Sequence, residues 1–238
     1  MGKNILIIGA SGDIGYAIAE RLAQDGYQLL LHYHKNRSGI DLLRERLANE
    51  SVLAVIQADL SNQDEIKHFL TKLVLPVDGI IFAGGTAYYG LLQHTSEEAM
   101  DAMLSLHVKA PWMLTKHLLP PMITNHKGNI IMITSIWGNV GASYEVIYSS
   151  VKGAQNSFIK ALAKEVAPAG ISVNGISPGY IETKMNSHLS EEEKLAIIDE
   201  IPMNRAGIPS EIAHTVSFLL DKRSTYIQGE IINVNGGW

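Results

Sequence analysis

Tyr148 and Lys152 stand four residues apart in Tyr148-Ser149-Ser150-Val151-Lys152, at the start of a helical pattern. Residues at that spacing share one face of a helix. A phenol ordinarily titrates near pH ~10, and an ammonium beside it favours the phenolate and lowers that value. The pair therefore reads as a proton donor and acceptor tuned for work near neutrality. Ser135 closes an apolar run ahead of this helix. Its hydroxyl is suited to hold a carbonyl oxygen against Tyr148. Chance also places Tyr and Lys four apart in helices; the serine at the preceding strand end is what argues for chemistry.

A second constellation lies at the other end of the chain. Gly9-Ala10-Ser11-Gly12-Asp13-Ile14-Gly15 follows the apolar run Ile5–Ile8 and opens an amphipathic segment. Glycines there let the backbone approach a pyrophosphate, and a helix N-terminus offers free N–H groups and partial positive charge. Gly9, Ser11, Gly12, Asp13, Ile14 and Gly15 are thus candidates for a dinucleotide site, against the plainer reading of a strand-to-helix turn. Asp59-Leu60 and Ala83-Gly84-Gly85 follow later apolar runs. The first is placed to meet an adenine and the second to let the backbone lie along the dinucleotide. Either is also ordinary turn chemistry. Sites that prefer the cofactor without a 2′-phosphate usually carry an acid after the second strand. Here His34-Lys35-Asn36-Arg37 has no acid and two cations, which predicts NADPH over NADH unless Lys35 and Arg37 only face solvent.

The elements that must position these groups are short apolar runs alternating with amphipathic segments. Strands are expected at Ile5–Ile8, Leu29–Leu31, Leu53–Ile56, Gly79–Phe82, Ile130–Ile133, Ile171–Ile176 and Ile231–Val234. Helices are expected at Ile14–Gln24, Ser38–Asn49, Asp64–Val74, Glu97–Asn125, Tyr148–Ala167 and Ser210–Leu220. Continuous apolar strands separated by helices specify a parallel sheet covered on both faces, the Rossmann-like doubly wound α/β architecture. One domain is expected over the whole length. Residues 183–205 break the rhythm and are polar, and they read as a lid over a substrate.

The 238 residues are 46% apolar, with a formal net charge of -5 and no Lys/Arg block, which makes nucleic acid and anionic membranes poor partners. Without cysteine there is no disulfide, and a reducing cytoplasm fits. The apolar run at Ile5–Ile8 is too short for a secretion signal, and no stretch is long enough to span a bilayer.

Taken in order, Gly9-x-x-Gly12-x-x-Gly15, Asp59-Leu60, Gly84-Gly85, Ser135, Tyr148-x-x-x-Lys152, Val173-Asn174, Ser177-Pro178-Gly179 and Val234-Asn235-Gly236-Gly237 resemble the short-chain dehydrogenase/reductase family over essentially the whole chain. The resemblance implies hydride transfer between a nicotinamide and a carbonyl, without a metal. It implies that Lys152, beside Tyr148, also binds the nicotinamide ribose. Pro178 and Gly179, with Ile181 and Thr183, would flank the nicotinamide. It further implies a homotetramer, with the Tyr148 helix and the last strand at interfaces.

Three positions depart from the family pattern. Asp13 stands where glycine is usual, and Gly12 where a basic residue is frequent. Phe82-Ala83-Gly84-Gly85 replaces Asn-Asn-Ala-Gly. His107 aligns with the family's fourth catalytic residue, an asparagine that holds a water linking the lysine to solvent. Imidazole has a donor and an acceptor and titrates near neutrality, so His107 is expected to take that role or else only to pack.

Ser177 to Met185 resembles the 3-oxoacyl-[acyl-carrier-protein] reductase branch, which reduces a ketone tethered to a carrier protein. Ser135-Ile136-Trp137-Gly138, His107 and Gly153-Ala154-Gln155 are closer to a side branch assigned to a 5-aminopentanone group on translation elongation factor P. Both substrates are ketones on long arms. Trp137 would line a tunnel for such an arm or else be a buried aromatic. Lys109, Lys116, Lys160 and Lys164 would dock an acidic carrier or else be merely solvated. A dinucleotide-binding sensor without turnover is the reading of another class; loss of Tyr148 or Lys152 would mark it, and both are present. Trp238 is expected in a subunit contact.

Overall fold

The computed structural model describes residues 3–238. Seven strands form one parallel sheet: β1 (Asn4–Ile8), β2 (Gln28–Tyr33), β3 (Val52–Gln57), β4 (Gly79–Phe82), β5 (Gly128–Ile133), β6 (Ile171–Pro178) and β7 (Ile231–Val234). Their order across the sheet is β3-β2-β1-β4-β5-β6-β7. The chain first steps outward from β1 to β2 and β3, then returns to lay β4 on the other side of β1. That reversal opens a crevice above the carboxyl ends of β1 and β4, where doubly wound sheets bind ligands. The expected α/β architecture stands, and each expected strand lies within an observed one.

The helices are α1 (Asp13–Gln24), α2 (Arg37–Arg46), α3 (Gln63–Lys72), α4 (Glu97–Leu104), α5 (Ala110–Thr124), the short α6 (Trp137–Val140), α7 (Val146–Val166), α8 (Glu191–Glu200) and α9 (Pro209–Leu220). Alternation along each strand divides the core. Leu6, Ile8, Leu30, Ile80 and Ile130 face one side, against Phe69 of α3, Leu114 of α5 and Ile159 of α7. Ile5, Ile7, Leu29, Leu31, Ile81 and Ile131 face the other, against Ile18 of α1, Ile40 of α2 and Ile212 of α9. Both faces are thus buried, as continuous apolar strands require.

One expectation is corrected. Glu97–Asn125 is not a single helix: a π-helical segment, Ser105–Lys109, separates α4 from α5. Pro111 is the local cause. It has no N–H to donate to the His107 carbonyl four residues earlier. The Gln155 side chain of α7 donates to that carbonyl instead, at 2.8 Å. The wider turn directs His107 inward, where it is 1% exposed. Such π-bulges are frequent at functional sites.

Residues 183–205 hold a short 3-10 turn, Lys184–Asn186, and then α8. Ser190 accepts from the Glu193 backbone while the Glu193 side chain accepts from the Ser190 N–H, a capping box that starts α8 sharply. Among the described residues no helix is long and apolar enough to cross a membrane.

Candidate active site

A single cavity above the carboxyl ends of the strands gathers most of the expected site. Its wall includes Ile14, Ala83, Gly84, Gly85, His107, Ser135, Tyr148, Lys152, Pro178, Gly179, Ile181 and Thr183. Strand ends supply Ser135 and Pro178; helix starts supply Ile14 and Tyr148. The sheet therefore brings together residues more than a hundred positions apart.

The glycine loop is a cradle that side chains would fill. Gly9 has φ +82°, and a Cβ there would sit 2.4 Å from the Gly84 Cα. A Cβ on Gly15 would meet the Gly9 carbonyl oxygen at 2.2 Å. Backbones of the β1 and β4 exits thus touch, leaving room above them for a flat, phosphate-linked ligand at the start of α1. The residues present fit a nicotinamide dinucleotide.

His32, near the end of β2, supports this loop. It is buried, and its Nδ1 accepts from the Gly9 N–H at 3.1 Å while its Nε2 pairs with the Ala58 carbonyl at 3.1 Å. Burial lowers its pKa to about 4, so the ring stays neutral. A histidine at a strand end beside the glycine loop was the available signal.

Beyond β2 the expected cations have different fates. Asn36 is structural: its amide donates to the Ser11 carbonyl at 2.8 Å and accepts from the Gly39 N–H, capping α2. Arg37 is engaged with Asp41 and the Tyr33 hydroxyl. His34 lies 3.5 Å from Asp59. Among the described residues Lys35 forms no ion pair. Asp59 accepts from the Ser61 backbone and hydroxyl. The Leu60 side chain is 2% exposed and packs in the core, so only its backbone is left to face a cofactor. Asp13 is also reassigned. Its carboxylate accepts from the Lys184 N–H at 2.6 Å, tying the start of α1 to the 183–205 segment. The acid in place of glycine is a tether between the two sides of the cavity.

At the reacting end, Lys152 Nζ donates to the Ile133 carbonyl at 2.9 Å and lies 5.5 Å from the centre of the Tyr148 ring. Full burial lowers its pKa to about 7. Burial also pushes the Tyr148 phenol well above its ordinary value, with the Ser135 hydroxyl pulling the other way. The expected lowering of Tyr148 by Lys152 is therefore corrected for the chain alone: desolvation wins, and the phenol holds its proton. Ser135 Oγ accepts from the Trp137 N–H at 3.2 Å, which orients it at the mouth of β5.

His107 is corrected as well. Burial, with the nearby Lys152 charge, lowers it to about 3, so it does not titrate near neutrality. Nε2 reaches the Thr86 carbonyl at 3.0 Å, and Nδ1 is buried without a partner. The ring stands edge-on to Tyr148, centroids 5.9 Å apart. A Cβ on Gly85 would come 2.6 Å from the His107 ring, so this glycine makes room for the imidazole.

The sequence did not point to Tyr89, Thr134 or Glu145, which also line the cavity; Met185, Leu189 and Ile197 line it from the 183–205 segment. Glu145 had a signal, an acid three residues before Tyr148 at the start of its helix. Trp238 packs edge-on against Trp137, 5.1 Å between centroids, and both line the cavity.

A glycine cradle at a sheet switch point, bordered at Ile14 and Gly84 by a cavity that holds Ser135, Tyr148 and Lys152, defines a nicotinamide-dependent oxidoreductase. The comparisons agree. A family model described as "Enoyl-(Acyl carrier protein) reductase" matches residues 9–238. The chain is 46% identical over 240 residues to the uncharacterized oxidoreductase YmfI of Bacillus subtilis (strain 168), covering 100% of this chain and 99% of that one. It is 32% identical over 241 residues to the 3-oxoacyl-[acyl-carrier-protein] reductase FabG of Staphylococcus epidermidis, with 100% and 99% covered. Among solved structures, YwfH, an NADPH-dependent reductase involved in bacilysin biosynthesis, superposes with a TM-score of 0.91 at 25% identity, covering 100% and 98%. The chain belongs to the short-chain dehydrogenase/reductase family and is an NAD(P)-dependent oxidoreductase.

Proposed function

We propose that the protein is an NADPH-dependent carbonyl reductase, acting on a ketone in the manner of the 3-oxoacyl-[acyl-carrier-protein] reductases. The observation that carries this reading is the half-buried Tyr148 beside Ser135 and Lys152, in a cavity that Ile14 and Gly84 border next to the glycine cradle. When bound, the cofactor supplies the hydride to the carbonyl carbon. Ser135 holds the carbonyl oxygen, and Tyr148 gives it the proton, so that a ketone becomes a secondary alcohol. Lys152, with its pKa near 7, returns a proton to the tyrosine. Gly9 to Gly15 hold the pyrophosphate, and Lys152 the nicotinamide ribose. Pro178, Gly179, Ile181 and Thr183 flank the ring. Neutral His107 accepts at Nδ1 and holds a water there without changing its own charge. Residues 183–205 act as a lid.

NADPH is favoured by the free Lys35, and by the NADPH dependence of YwfH. A ketone on a carrier arm is favoured by the FabG relatives; the 5-aminopentanone borne on elongation factor P shares the reaction and differs in the arm. A homotetramer is favoured by Trp112, half-exposed on α5 beside Phe158 of α7. The lack of cysteine fits a cytoplasmic location.

The test is NADPH oxidation with an acetoacetyl thioester. Tyr148→Phe is expected to lower turnover on the order of 10²–10⁴-fold while cofactor affinity stays within a few-fold. Substantial residual turnover would remove Tyr148 as the proton donor.

A further inference from the structure

Glu145 is the unexplained charge of the cavity. It sits immediately before α7, three residues from Tyr148, and both line the same space. A carboxylate at a helix start ordinarily accepts from the first N–H groups. The Glu145 side chain makes no such cap. Nor is it in an ion pair among the described residues. Half-burial raises its pKa above the ordinary carboxylate value, with only His188 and the Trp137 indole acting to keep it ionised. His188 is itself stacked on Tyr89, 4.7 Å between ring centres.

A partly desolvated carboxylate without a counter-charge is unfavourable unless something supplies one. The surrounding wall is aromatic: Tyr89, Trp137 and Trp238 line the cavity with it. Aromatic faces beside a carboxylate form an environment that attracts an organic cation. The same charge repels an anionic group. Because Glu145 lies three residues before Tyr148 and both line one cavity, a cation held by the first would lie a few methylenes from a carbonyl held by the second.

Resting on the carbonyl-reductase reading, we infer that Glu145 is a specificity-determining residue that selects ketones carrying an ammonium group a short distance from the carbonyl over neutral ones, and neutral ones over carboxylates. The chemistry of reduction is unchanged; Glu145 acts on which substrate is held.

The experiment uses the full chain saturated with NADP and three secondary alcohols of equal length. One ends in a dimethylamino group, which cannot close onto a carbonyl when the matching ketone is used; one ends in methyl and one in carboxylate. Binding is read by tryptophan fluorescence, since Trp137 and Trp238 flank the site, and NADPH oxidation is followed separately with the three ketones. Tightest binding is expected for the amine and weakest for the carboxylate. Glu145→Gln is expected to lower the amine-over-methyl preference roughly 10- to 100-fold, the size of a lost charge-assisted contact. Glu145→Asp should keep the order, and NADP affinity reports that each variant is folded. Equal binding of amine and methyl ligands by the native chain overturns the inference, as does an unchanged preference in Glu145→Gln. Charge-selective binding without oxidation of any ketone supports the role of Glu145 and overturns the carbonyl-reductase reading instead. Oxidation without charge selection does the reverse.

Discussion

The two ends of the cavity are built differently. The cofactor end is backbone: the exits of β1 and β4 press so close that Gly9 and Gly84 leave no space for a Cβ on Gly9. The substrate end is side chains: Tyr89, Glu145, Met185 and Trp238 arrive from four separate segments. A backbone cradle recognises what every dinucleotide shares, its phosphates and flat rings. A side-chain wall can be exchanged piece by piece without disturbing the sheet. Retaining one reaction while changing substrate is therefore a matter of the second region alone.

Breaking the cradle should have the largest effect. Gly9→Ala forces a left-handed residue and a contact with Gly84 together; strain at φ +82° alone costs about 1–3 kcal/mol. Loss of cofactor binding and a lower melting temperature are expected, measured by fluorescence titration and calorimetry. Normal cofactor binding by the Gly9→Ala variant would show that the close approach is not required.

Acid should act on the same region. His32 is neutral in the folded chain with a pKa near 4, below its ordinary 6.5. Between these values the unfolded chain takes up the proton and the folded chain does not, so stability falls as pH drops through this window. Below about 4 both states are protonated and the loss is complete. The shift corresponds to roughly 3 kcal/mol. Denaturant titrations at pH 7 and pH 4.5 measure the change. His32→Asn should flatten the profile, with the remaining slope carried by His107 and the carboxylates.

Lys35→Ala sharpens the comparison at the rim of the cradle. On the proposed preference for NADPH, the ratio of kcat/KM for NADPH over NADH is expected to fall about tenfold, the loss of one charged contact to phosphate. An unchanged ratio would hand the 2′-phosphate to His34 or Arg37. The smallest effect belongs to the wall. Trp238→Ala removes the edge-on partner of Trp137 and should raise KM for the ketone about 2- to 10-fold, with cofactor affinity unchanged. A change in cofactor affinity instead would mean that the two regions are not separable.

Legibility in the sequence followed the same division. Gly9 to Gly15 and Tyr148 with Lys152 are local patterns, each carried on one turn or one helix, and their positions emerged where expected. The break at Ser105–Lys109 was less accessible. Its cause needs Pro111 and the carbonyl of His107 together with a Gln155 side chain from another helix. Asp13 stands within the glycine motif, but the partner of its carboxylate, Lys184, is 171 positions away. Leu60 beside Asp59 shared the motif but points into the core.

Alternating apolar runs, glycine spacing and the helical offset of Tyr148 and Lys152 determined the parallel sheet, the glycine turn and the pairing of Tyr148 with Lys152, because each depends on interactions within a few residues or on burial that any doubly wound chain must satisfy. Protonation states and the substrate wall were decided only by the tertiary structure. They depend on how far each group is removed from water and on which distant side chains close around it, and burial is the largest influence at Tyr148, Lys152 and His107 alike.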